Sequence, residues 1–150
     1  RINRTVDEIP ELDGTISTDD FKFKKYGWEV HEYQIPVVVD GVYYCHNFPT
    51  GVMGKPIGGD NIGRALLLKN KVSSTVGHIH LFDYAMCALP SGKKLMGLSA
   101  GCYLHHKENY AKNTQQMWWS GLIVKRNVDK GEYDLEMMEY NTIRRKYGKR

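Results

Sequence analysis

The sequence predicts an α+β fold rich in strands, and three observations predict it. After residue 28, short runs of β-branched and aromatic residues succeed one another between turn signals. Asp40-Gly41 separates two such runs, 35–39 and 42–45, and Asp-Gly in that setting is the best short hairpin signal in the chain. Helical spacing is confined to a few short stretches. The 150 residues suffice for a real core and read as a single domain, 1–150.

In chain order, Ile2, Val6, Ile9 and Leu12 have helical spacing, limited by Pro10. Thr18-Asp19-Asp20 reads as a helix start and Gly27 as its end, with Phe21 and Tyr26 as buried positions. Residues 28–33 alternate as a half-buried strand does, placing His31 on its surface. The hairpin across Asp40-Gly41 delivers His46 at the end of its second strand. Gly and Pro are dense from 47 to 60, which marks a long loop, and such loops are often functional. Residues 61–69 read as a helix capped by Asp60 or Asn61, with Ile62, Ala65 and Leu66 on its apolar face. A strand carrying Gly77-His78-Ile79-His80 follows, then strands at 84–89, 95–99, 118–124 and 133–138, and a basic turn or helix closes the chain.

Composition narrows the setting. No run of about eighteen apolar residues exists, so no membrane-spanning helix is expected. Cys45, Cys87 and Cys102 are odd in number and widely spaced, and read as reduced, buried thiols of a cytoplasmic protein. The absence of Cys-x-x-Cys argues against a zinc knuckle. A net charge of +4 is compatible with an anionic substrate without requiring one.

The chemistry concentrates in Val76-Gly77-His78-Ile79-His80. In an extended backbone, residues i and i+2 project to one side, so both imidazoles can face one point or two adjacent points. Gly77 lets the backbone turn as it leaves the strand. Neutral imidazole is a good ligand for zinc, manganese, iron or nickel. His46 ends a strand some thirty residues earlier, so the three histidines read as a ligand set delivered by the edge of a sheet.

His46, Gly77-His78-Ile79-His80 and Ser99-Ala100-Gly101-Cys102, in that order, resemble the C-terminal half of the calcineurin-like metallophosphoesterases. Trp118-Trp119-Ser120-Gly121 and Gly131-Glu132-Tyr133-Asp134 look like bacteriophage members of that family, and the likeness covers roughly residues 28–145. The resemblance implies the β-rich half of a four-layer α/β/β/α sandwich. It also implies a hydrolase with two divalent metal ions (Mn, Fe, Zn or Ni), acting on a phosphomonoester or phosphodiester. His46 and His78 would share one ion and His80 would take the other. For a phage-encoded chain the compartment would be the host cytoplasm.

The family's Asp-x-His, Gly-Asp-x-x-Asp and Gly-Asn-His-Asp/Glu motifs do not occur in this sequence. Gly59-Asp60 lies on the wrong side of His46 to replace them. Arg1-Ile2-Asn3-Arg4 resembles the stretch that follows the third motif. The expectation is therefore the C-terminal part of a longer enzyme, its N-terminal half supplied in cis or in trans, with no catalytic residue of its own and little activity alone. The alternative is a non-catalytic module that binds metal or nucleic acid. Cys45 and Cys102 read as core thiols, His105 and His106 as a solvated loop, and Trp118 and Trp119 as packing. Arg144, Arg145, Lys146, Lys149 and Arg150 read as a solvated terminus, with nucleic-acid phosphates as the candidate partner.

Overall fold

The computed structural model describes residues 2–106 and 108–148. Backbone contacts divide the chain into two compact units, the first ending at Glu32 and the second starting at Tyr33.

In the first unit, α1 (Ile2–Glu8) gives way to a 3₁₀ turn, Pro10–Leu12, with Pro10 at its start where a missing N–H costs nothing. Ser17 caps the next turn: its hydroxyl accepts from Asp19 N (3.1 Å), and Asp20 Oδ2 accepts from Ser17 N (2.8 Å). The single helix expected over 18–27 is instead two 3₁₀ turns, Thr18–Phe21 and Phe23–Tyr26, broken at Lys22 with φ 50° and closed by Gly27 with φ 74°. Phe21 and Tyr26, expected inside, are 51% and 67% exposed. Four-residue turns in a unit this small have no apolar surface to hide them against. Residues 28–32 carry no regular structure, and Trp28 and Val30 are 67% and 65% exposed. The expected strand fails here, His31 included, because alternation makes a strand only where a neighbour takes the backbone hydrogen bonds.

The second unit is built on a five-stranded sheet, so the fold is mixed α+β. Its strands are β1 (Val37–Val39), β2 (Val42–Cys45), β5 (Ser74–Val76), β6 (Phe82–Ala88) and β7 (Lys94–Ala100), in the order β1-β2-β5-β7-β6. β1 and β2 pair antiparallel across the expected turn, with Asp40 at φ 48° and Gly41 at φ 81°, the left-handed pair such a turn needs. β2, β5 and β7 are mutually parallel, so all three end at one edge of the sheet.

The period of two along these strands sorts side chains onto two faces. Tyr43, Cys45 and Val76 face α2 (Ile62–Asn70), within a core of Phe48, Ile57, Ile62 and Leu66. Val42, Tyr44 and Met96 face the hairpin of β8 (Gly121–Asp129) and β9 (Glu132–Glu139), against Tyr133, Val128 and Leu135. Helix, sheet and hairpin are thus three layers. The helix approaches closely because Gly63 meets Gly97, and a Cβ on Gly63 would lie 2.8 Å from the Ala85 nitrogen. Neither expected residue caps α2 through its side chain. Asn61 stands at the cap position without a side-chain hydrogen bond, and Asp83 of β6 accepts from Gly63 N (2.8 Å) instead.

The long loop contains a miniature ribbon, β3 (Pro49–Thr50) with β4 (Lys55–Pro56), anchored by buried Phe48 and Ile57. β8 starts three residues later than expected, at Gly121. Before it, Ser120 bridges Cys102, and a 3₁₀ turn occupies Lys112–Met117. α3 (Tyr140–Tyr147) closes the description, and Lys149 and Arg150 lie outside the described residues. Cys87 is exposed, contrary to the expectation of three buried thiols, because it sits on edge strand β6, while Cys45 and Cys102 are half-buried. Among the described residues no helix is long and apolar enough to cross a membrane.

Candidate metal centre

The parallel strands carry the histidines to their common edge. His46 is the first residue after β2, and His78 follows β5 by two. Cys45 and Val76 are register partners, and the ladder extends one bond further: His78 N donates to the His46 carbonyl at 3.0 Å. That bond brings the rings together, with His78 Nδ1 2.9 Å from His46 Nε2 and the planes at 71°.

Two ring nitrogens at that distance either share one proton or hold one ion. Tetrahedral ligands on metal–nitrogen bonds of about 2.0–2.1 Å stand about 3.3–3.4 Å apart, so the rings meet here at hydrogen-bond distance and would part by a few tenths of an ångström to share an ion. Burial pushes the His46 imidazolium below its usual pKa, and the field of His78 adds to it, so His46 favours the neutral, metal-ligating form. The pair presents two imidazole nitrogens, a chemistry that suits a borderline divalent ion. It does not complete a shell, since among the described residues no three His, Cys, Asp or Glu side chains converge on one point.

His80 departs from this pair. The strand expected to carry both histidines ends at Val76, and 78–79 is a turn, so the period-two argument stops before it reaches them. The left-handed residue is His80, at φ 63°, and not Gly77, whose freedom goes unused. His is among the residues that tolerate this conformation. The His80 ring stands edge-on to Trp118 at 4.3 Å, and its carbonyl accepts from Trp119 N at 3.1 Å. Its pKa is lowered, first by burial and then by His78 and His46, against an upward pull from Glu108. The three imidazoles thus feel one another, but only two touch.

No family model, curated protein or solved structure matches the chain.

The surroundings hold residues that sequence reading passed over. Asn47, 2% exposed, sits beneath His46: its Oδ1 accepts from Gln34 Nε2 (2.9 Å), and its Nδ2 donates to the Tyr33 hydroxyl (3.2 Å). Tyr33 in turn lies 5.7 Å from the His46 ring, so the chain entering the sheet buttresses the pair. A buried amide directly after a strand-end histidine is a signal visible only once burial is known. His105 and His106 lie in an exposed loop, as expected. His106 Nε2 meets Glu108 Oε1 at 2.8 Å. Trp119 packs at 5.3 Å on Phe82.

Proposed function

We propose that this chain is the C-terminal part of a metal-dependent phosphoesterase of the calcineurin-like kind. His46 and His78 would be joint ligands of one divalent ion, and His80 a ligand of a second. The observation that carries the reading is the 2.9 Å approach of His46 Nε2 to His78 Nδ1 at the carboxyl edge of parallel strands. Ligand sites form at such edges because loops there can diverge to admit a substrate. The order of His46, His78, His80 and the 99–102 strand end supports the same reading. A four-layer sandwich would follow if a second half packed against this one.

Two bound divalent ions would supply a hydroxide nucleophile and clamp the phosphoryl oxygens. This chain's own part is to hold and orient. The ladder bond from His78 N fixes the spacing of the first two imidazoles. Asn47 and Tyr33 hold His46 in place, and Trp118 sets the plane of His80. No carboxylate stands at a bridging position among the described residues, so turnover needs residues from outside this chain.

Titration calorimetry with zinc and with manganese tests the reading. Binding by the wild type, lost in both His46→Ala and His78→Ala, supports it, while equal binding by the variants overturns it. Phosphoesterase activity should be negligible for the chain alone and should appear when an upstream segment bearing Asp-x-His and Gly-Asn-His is joined to it.

A further inference from the structure

The carboxyl edge that carries the histidines also carries a row of aromatic rings. Cys102, at the end of β7, donates to the Trp119 carbonyl at 2.9 Å, and Trp119 donates to His80. Ser120 clasps Leu104 from both sides: Leu104 N donates to Ser120 Oγ (3.0 Å), and that hydroxyl donates to the Leu104 carbonyl (2.7 Å). The Ser120 carbonyl accepts from Tyr140 N at 2.8 Å, the first residue of α3. These bonds hold Tyr103 and His105, on either side of Leu104, against Tyr140. Tyr103 stands edge-on to Tyr140 at 5.5 Å, and His105 stacks on it at 5.6 Å and 18°.

The rings are not core. Tyr103 is 54% exposed, His105 is exposed, and Tyr140 is half-buried. One turn beyond Tyr140, α3 presents Arg144, Arg145 and Lys146, all exposed. Arg145 donates to Thr142 Oγ1 at 3.1 Å, and among the described residues none of the three cations is in an ion pair. Exposed rings held by backbone clasps, next to cations outside such ion pairs, of which Lys146 lies 5.3 Å over the Tyr147 ring, combine the two elements that single-stranded nucleic acid uses: stacking for bases and charge for phosphates.

We propose that Tyr103, His105 and Tyr140, with Arg144, Arg145 and Lys146, form a track for single-stranded nucleic acid. The bases stack on the rings and the backbone follows α3. A paired duplex keeps its bases stacked inside and cannot use the rings, so the track prefers a single strand. Resting on the phosphoesterase reading, the track makes the substrate of the histidine site a nucleic-acid phosphodiester.

Fluorescence anisotropy of a labelled oligothymidylate with the 150-residue chain, in chelator, tests the track apart from any metal. Binding should weaken steeply between about 50 and 200 mM salt. Tyr103→Ala and His105→Ala should each weaken it about 5- to 100-fold, and Tyr103→Phe, which keeps the ring, should stay within about twofold. Arg144→Gln should reduce the salt slope by about one. No binding at low salt overturns the proposal. So does wild-type affinity in Tyr103→Ala and His105→Ala, or equal affinity for duplex. Each of these leaves zinc binding by His46 and His78 untouched, and loss of zinc binding leaves the track untouched.

Discussion

β2 and β5 build two polar clusters a few residues apart, and the two have opposite characters. At the strand ends, His46 and His78 meet in the open. Two residues before His46 and three before His78, the register partners Tyr44 and Thr75 face the β8–β9 hairpin and receive Lys125. Lys125 Nζ donates to the Tyr44 hydroxyl (3.0 Å) and to Thr75 Oγ1 (2.5 Å), and lies 4.2 and 4.7 Å from the centres of the Tyr44 and Tyr133 rings. No carboxylate among the described residues balances the charge in this cage, and burial lowers the lysine pKa to about 8. Burial likewise raises the tyrosine hydroxyls of Tyr44, Tyr84 and Tyr133. The covered cluster turns its lysine onto internal partners and packs beneath the hairpin. The edge cluster stays exposed, with two ring nitrogens facing each other.

Removing one member should affect the two clusters in different currencies. The largest effect expected is at the edge. His78→Ala should cost zinc affinity at least as much as losing an outer-shell partner does, about 10–100-fold. Its unfolding free energy in urea should stay within about 0.5 kcal/mol of wild type, as exposed substitutions do. A large loss of stability would make the pair structural and dissolve the contrast.

Next is the pH dependence set by Lys125. Its folded pKa lies below the unfolded value of 10.5, so from about pH 8 to 10.5 the unfolded chain holds the extra proton and stability rises with pH. Partial exposure tempers the gain to about 1–2 kcal/mol. The tyrosines act oppositely: their folded pKa values are raised, so stability falls as pH climbs past the unfolded tyrosine value of 10.0. Denaturation series should therefore peak between pH 8 and 10 in the wild type. In Lys125→Met the rise below the peak should vanish.

A smaller effect is expected at Tyr133. Its hydroxyl is buried near Thr75 without a hydrogen bond of good geometry. Tyr133→Phe should be neutral or stabilising by up to about 1 kcal/mol, and destabilisation beyond that would show the hydroxyl to be paired. The smallest effect belongs to the edge again. Lowered pKa values at His46 and His80 leave the unfolded chain holding more protons just below pH 6.5. Stability should decline as pH falls through that region, and less so in His46→Gln.

Local chemistry in the sequence determined a good deal of this protein. Asp40-Gly41 specified a hairpin because few residue pairs accept two left-handed conformations, and the strand it returns ends at Cys45, delivering His46 as expected. The apolar spacing from Ile62 to Leu66 specified α2, and the runs at 84–89, 95–99 and 133–138 specified β6, β7 and β9 to within a few residues. His46, His78 and His80 were read as a group from their order after strand-like runs, and the structure brings two of them into contact. Long-range contact decided the rest. Residues 28–32 alternate as a strand would and form none, for want of a neighbour to pair with. The cap of α2 came from Asp83, twenty residues on. His78 was joined to His46 and His80 turned to Trp118 because β5 ended at Val76 and the backbone turned between them. Lys125 met Tyr44 and Thr75 only because the hairpin folded over them. Which nitrogen, hydroxyl or ammonium faces water depends on strand order, and strand order is a property of the assembled sheet that no local window contains.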